Sequence, residues 1–66
     1  MKYRIDTEFF ERQIKVQNIT KDNIFHLCKF NKSLRDEITN DNPIDLMSIV
    51  KIARLLNVNL YHLIKI

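Results

Sequence analysis

Glycine and tryptophan are absent from this 66-residue chain, and it holds one proline, Pro43, and one cysteine, Cys28. Without glycine there is no glycine-rich loop to cradle a phosphate and no Asn-Gly hairpin turn. A lone cysteine excludes an internal disulfide, and with only His26 and His62 beside it there is no Cys/His cluster at metal-ligand spacing. No cofactor and no metal are therefore expected. Apolar runs fall short of the roughly 18 residues that a membrane span needs, and no signal-peptide pattern follows Met1, so the expectation is a cytoplasmic protein with no membrane contact. Repeats and low-complexity tracts are missing too, so residues 1–66 are expected to form one domain. A chain this short buries only about 60% of its unfolded surface, and its core alone seldom contributes more than about 3–5 kcal/mol. That excludes a large enzyme with a deep pocket and favours helix packed on helix, or stability gained from a partner.

What is present is ordinary globular material: 45% hydrophobic and 29% charged residues, with a net charge of +3. The charge is unevenly placed. Residues 1–33 carry Lys2, Arg4, Arg12, Lys15, Lys21, Lys29 and Lys32 against Asp6, Glu8, Glu11 and Asp22, whereas residues 34–66 carry four charges of each sign. Positive surface is built by the first half, a balance that suits a nucleic-acid binder without requiring one.

Apolar spacing predicts five helices and no strand. A first helix over 7–17, capped by Asp6 or Thr7, pairs Phe10 with Ile14 and Ile5 with Phe9. Thr20 caps a second over 20–29, whose inward face is Ile24, Leu27 and Cys28, and a third over 32–39 buries Leu34 and Ile38. After the loop 40–43, Asp45 caps a fourth helix in which Leu46, Ile49, Val50, Ala53 and Leu56 recur at helical spacing, with Lys51 and Arg54 on its outer side. Asn57 ends it, and Asn59 caps a last helix carrying Leu60, Leu63 and Ile64. Lacking glycine, the turns must use asparagine and aspartate, which tolerate the left-handed conformation best after it; Asn18, Asn31, Asn40, Asp41, Asn42 and Asn57 lie between the periodic segments. The expected core is Phe10, Ile14, Ile24, Leu27, Cys28, Leu34, Ile38, Leu46, Ile49, Val50, Ala53, Leu56 and Leu63.

The segment running Pro43-Ile44-Asp45-Leu46 through Lys51-Ile52-Ala53 and Leu56-Asn57-Val58 to Leu63-Ile64 resembles the last two helices of the lambda-repressor/Cro-like (XRE) family, whose pattern there is P-x-D-L-x-x-L-x-K-I-A-x-x-L-N-V-x-x-x-x-L-I. Ile19-Thr20-Lys21-Asp22-Asn23-Ile24 resembles that family's L-T-x-x-x-L opening of the second helix, and the distance from Thr20 to Pro43 fits without a gap. The resemblance covers about residues 19–64. It implies an all-α, five-helix lambda-repressor-like domain. Departures fall at Phe25, where the family has a small alanine; at Lys29 and Asp41, where it has glycine; and at Arg35 and Gln13, where it has apolar residues. They point to a slightly rotated pair of second and third helices.

The resemblance further implies a phage- or plasmid-type repressor, a sequence-specific transcriptional regulator acting as a homodimer on a double-stranded DNA operator, with no small-molecule substrate. Family geometry puts the start of the third helix in the major groove, with Lys32 and Ser33 at base edges and Glu37 one turn on. If Leu34 turns inward, the reading face becomes Asn31, Lys32 and Asp36. Lys21 and Asn40 match phosphate-contact positions, and Arg35 joins Lys21 and Lys32 in the positive face a DNA binder requires. Lysine, serine, arginine and acids are equally what any solvated helix face carries. The alternative is a helix-turn-helix-fold interaction module, antirepressor- or antitoxin-like, marked by an exposed apolar patch. No catalytic residue is expected: His26 and Cys28, two apart on a helix, do not face each other. Glu8 and Glu11 read as a solvated pair, His62 as a surface or dimer-contact residue, and Met47, Phe9 and Phe10 as packing.

Overall fold

The computed structural model describes residues 1–65. The helices form where the sequence places them: α1 Thr7–Val16, α2 Lys21–Leu27, α3 Lys32–Thr39, α4 Leu46–Leu56 and α5 Leu60–Leu63. Each starts on a capping side chain that accepts a backbone N–H of the first turn, the usual remedy for the orphan donors of a helix start. Asp6 accepts from Phe9 at 3.2 Å, Thr20 from Asn23 at 3.2 Å, Asn31 from Leu34 at 2.8 Å, Asp45 from Ser48 at 3.2 Å, and Asn59 from Tyr61 at 2.9 Å.

Four helices end the same way. Asn18, Lys29, Asp41 and Asn57 have φ between 56° and 59°, the left-handed region that glycine normally fills. The next residue then donates back across the turn: Ile19 to Ile14, Phe30 to Phe25, Asn42 to Glu37 and Val58 to Ala53, at 2.9–3.0 Å. Lys29 and Asp41, where the resemblance implies glycine, thus adopt a backbone shape that glycine fills most readily.

The all-α expectation is corrected. Three strands, β1 Lys2–Ile5, β2 Ile44–Asp45 and β3 Ile64–Lys65, form an antiparallel sheet in the order β2-β1-β3, so the protein is a small mixed α/β fold. Lys2 lies opposite Asp45 and Tyr3 opposite Ile44; Arg4 lies opposite Lys65 and Ile5 opposite Ile64. Side chains alternate across a strand, so Ile5 and Ile44 are buried, with Tyr3 and Ile64 packed beside them, while Lys2, Arg4, Asp45 and Lys65 face solvent. Ile5 is therefore a strand residue rather than half of a helical pair with Phe9, and Ile64 leaves the last helix for β3.

The core shifts with the sheet. Ile5, Phe25, Ile44 and Ile52 are buried where none was expected, joining Phe10, Ile14, Ile24, Ile38, Ile49, Ala53, Leu56 and Leu63. Leu27 moves out to 63% exposure, and Cys28, Leu34, Leu46 and Val50 are only half-buried. On α2 the Phe25 ring fills the interior beside Phe30, 6.2 Å between centroids, and Leu27 sits on another side of the same helix. No helix among the described residues is long and apolar enough to cross a membrane.

Candidate nucleic-acid interface

The third helix is held by two side chains one turn apart, buried Ile38 and half-buried Leu34. With these inward, 100° per residue puts Asp36 outermost, Lys32 and Asn40 on either side of it, Ser33 and Thr39 a little further round, and Arg35 on one flank, all of them exposed. Glu37 lies half-buried on the other flank and, with Ser33, borders a cleft lined also by Lys2, Asn31, Leu34, Pro43, Ile44 and Asp45. With Leu34 inward, Lys32 and Asp36 point away from the body and Ser33 is exposed beside them. Asn31 flanks them, with its side-chain oxygen committed to the cap on Leu34.

The cations divide into two groups. Lys32 and Arg35 stand on the first and second turns of α3, and neither takes part in an ion pair among the described residues. Lys21, the first residue of α2, is paired instead with Glu11 of α1 and borders a cleft with Thr39, at the far end of α3. Eight residues at about 1.5 Å each separate the two ends by roughly 10–12 Å. Lys21, Lys32 and Arg35 are therefore not gathered into one tight positive face, and Asp36 sits in the middle of the outer surface. Asn40 is the C-terminal cap of α3 and is exposed there.

A cation that sequence reasoning passed over reaches the same region. Lys2, carried by β1, lines the cleft with Asn31, Ser33 and Glu37. The signal was the alternation Lys2-Tyr3-Arg4-Ile5, charged and apolar by turns. Its neighbour Arg4 reaches Asp41, donating to Oδ2 at 2.8 Å, and so ties β1 to the turn that closes α3. That hydrogen bond is the main cause of an Asp41 carboxyl held below its ordinary 3.8; partial desolvation opposes it, and the charges of Arg4 and Lys65 add to it. Asp45 is likewise lowered, chiefly by the Ser48 hydroxyl donating at 2.7 Å, against partial desolvation.

The remaining candidates stand apart. His26 is exposed while Cys28 is half-buried; burial pushes the thiol up and nearby Lys51 draws it only partly back. His62 packs edge-on against Phe9, 5.7 Å between ring centroids. Among the described residues, no three His, Cys, Asp or Glu side chains gather as metal ligands would. Compared with family models, with curated proteins and with solved structures, the chain matches none.

Proposed function

We propose that this chain is a sequence-specific DNA-binding regulator of the helix-turn-helix kind, working in the cytoplasm as a homodimer and laying α3 in the major groove. The reading rests above all on α3 itself. It is capped by Asn31, anchored by Leu34 and Ile38, preceded by a tight left-handed turn at Lys29, and solvent-facing along Lys32, Arg35 and Asp36. A helix so mounted can enter a groove about 12 Å wide. Lys32 and Arg35 suit guanine O6 and N7, and Asp36 suits the amino group of cytosine. Lys21 and Asn40 are assigned to phosphate, Lys2 to the flank. No residue is assigned a catalytic role.

For the dimer, the groove between β1, the start of α4, α5 and β3 is the natural seat. It encloses about 450 Å³ and is lined by Tyr3, Leu46, Leu60, Tyr61, Ile64 and Lys65, with Tyr61 75% exposed at its edge. The sequence groups Leu60, Leu63, Ile64 and Ile66 as apolar surface that a two-fold partner could cover; of these, Ile66 lies outside the described residues. A two-fold contact there would pair two copies of α3, and helix-turn-helix dimers read half-sites about one helical turn apart.

The deciding experiment is a salt-dependent titration against random DNA and DNA from upstream of the coding region. Binding at about 50 mM salt that weakens steeply as salt rises supports the reading. A second reading, the interaction module, draws support from the separation of Lys21 from Lys32 and from Asp36 on the outer face. It replaces the first if the wild-type protein has no DNA affinity at about 50 mM salt.

A further inference from the structure

A second groove, of about 430 Å³, runs between the C-terminal end of α2 and the outer side of α4, lined by Leu27, Cys28, Lys51, Arg54 and Leu55. Its floor is apolar and open, since Leu27 and Leu55 are both exposed. The uncharged thiol of Cys28 extends that floor. Its rim is cationic: Lys51 and Arg54 stand on it, and the Asp45 carboxylate at the cap of α4 feels the charge of Lys51 without forming an ion pair with it. Residues 23–35 and 46–65, the stretches that supply both walls, contain no aspartate or glutamate, while they carry Lys29, Lys32, Arg35, Lys51, Arg54 and Lys65. The ion pairs among the described residues, Arg4–Asp41 and Lys21–Glu11, involve neither Lys51 nor Arg54.

We propose that this groove docks an acidic amphipathic helix of a partner protein, with apolar side chains on Leu27 and Leu55 and carboxylates on Lys51 and Arg54. Lys51 and Arg54 are three residues apart on α4, about 4.5 Å along its axis, so they share one face. Carboxylates three or four residues apart on the incoming helix match that spacing. The planar fork of Arg54 can take one of them bidentately, and the neighbouring apolar positions cover the leucines. The apolar floor is what separates this partner from a phosphate backbone, which would leave both leucines facing a polar, hydrated surface. No residue of α3 lines the groove, so the inference goes beyond the DNA-reading proposal and does not depend on it.

The test is selection from a displayed library of random peptides about 16 residues long, long enough to form a helix on the surface. Enriched sequences are expected to combine Asp or Glu with large apolar residues at helical spacing. Their affinity is expected to fall about tenfold for Leu27→Ser and for Arg54→Glu. Both side chains are exposed, and an unchanged circular dichroism spectrum checks that each variant folds. A peptide with lysine in place of the carboxylate facing Arg54 should regain affinity for Arg54→Glu. No enrichment, enriched peptides without carboxylates, or binding indifferent to both substitutions would overturn the proposal. So would displacement of the peptide by duplex DNA together with loss of DNA affinity in Arg54→Glu, which would make the groove a phosphate surface. Lys32→Ala separates the two readings, because it weakens DNA binding and leaves the peptide untouched.

Discussion

Lys29 carries the longest side chain at any of the four left-handed turns, and it joins α2 to α3. A residue with a Cβ gives up about 1–2 kcal/mol in this conformation, and asparagine and aspartate recover some of that through local hydrogen bonds that lysine lacks. Lys29→Gly is therefore expected to stabilise the fold by up to about 1 kcal/mol in urea unfolding, reduced by the extra freedom glycine gives the unfolded chain. A loss of stability would mean that the lysine side chain makes a contact worth more than the strain. On α3, Lys32→Ala is expected to cost about 1–3 kcal/mol on a specific DNA site and to relax preference at one base pair. Glu11→Gln should act in the opposite sense and on all sequences alike, because it frees Lys21 for phosphate and steepens the salt dependence. If Glu11→Gln leaves non-specific affinity unchanged, Lys21 is not a phosphate contact.

At the scale of elements, helices and strands differ in how plainly the residues announce them. Most helix starts were legible, because a capping side chain and a 3.6-residue apolar period are both local: Thr20, Asp45 and Asn59 hold the caps expected of them, Asp6 takes the first of the two places offered, and Asn31, expected only as a connection, caps α3. Of the sheet, only β1 carried a local signal, the alternation over residues 2–5. β2 and β3 are two residues each, too short to show any period, and Ile44-Asp45 and Ile64-Lys65 become strands only because β1 lies between them. Missing the sheet also left Ile5 and Ile44 out of the expected core. The choice between reading faces on α3 turned on whether Leu34 faces inward, which packing decides and spacing alone does not. The acids at the ends of these elements give a pH prediction. Asp41 and Asp45 have carboxyls lowered in the folded protein, so at low pH the unfolded chain takes up their protons more readily. Their contribution to stability is complete above about pH 5 and is lost as pH falls through 3.8 and then through the lowered folded values. Asp41→Asn should flatten part of the fall in urea midpoint between about pH 5 and pH 2; an unchanged profile would mean that the Arg4 contact does not persist in solution.

Across the whole molecule, a single small core has to hold five short helices and a sheet together. Leu56 is almost wholly buried, and the carbonyl at the end of its helix accepts from the Gln17 side chain at 2.8 Å, which links α4 to the end of α1. Leu56→Ala is expected to cost about 2–5 kcal/mol, enough to unfold much of the population by circular dichroism. Tyr61→Lys tests assembly instead. It should shift sedimentation from dimer to monomer at micromolar concentration without changing the helix signal, and a wild type that stays monomeric at high micromolar concentration would remove the dimer from the proposal.

The place of β1 in the middle of the sheet bears on how the protein is made. It is the earliest of the described elements to leave the ribosome, yet one partner strand follows about forty residues later and the other about sixty. At about 5–20 residues per second, β1 waits roughly 3–12 s before both of its edges are covered. Meanwhile Tyr3 and Ile5 stand as an apolar strand with open hydrogen-bonding edges, the kind of segment that pairs with whatever arrives first. Lys2 and Arg4, alternating with them, put like charges on every nascent copy and so discourage two chains from joining along that strand before either is complete.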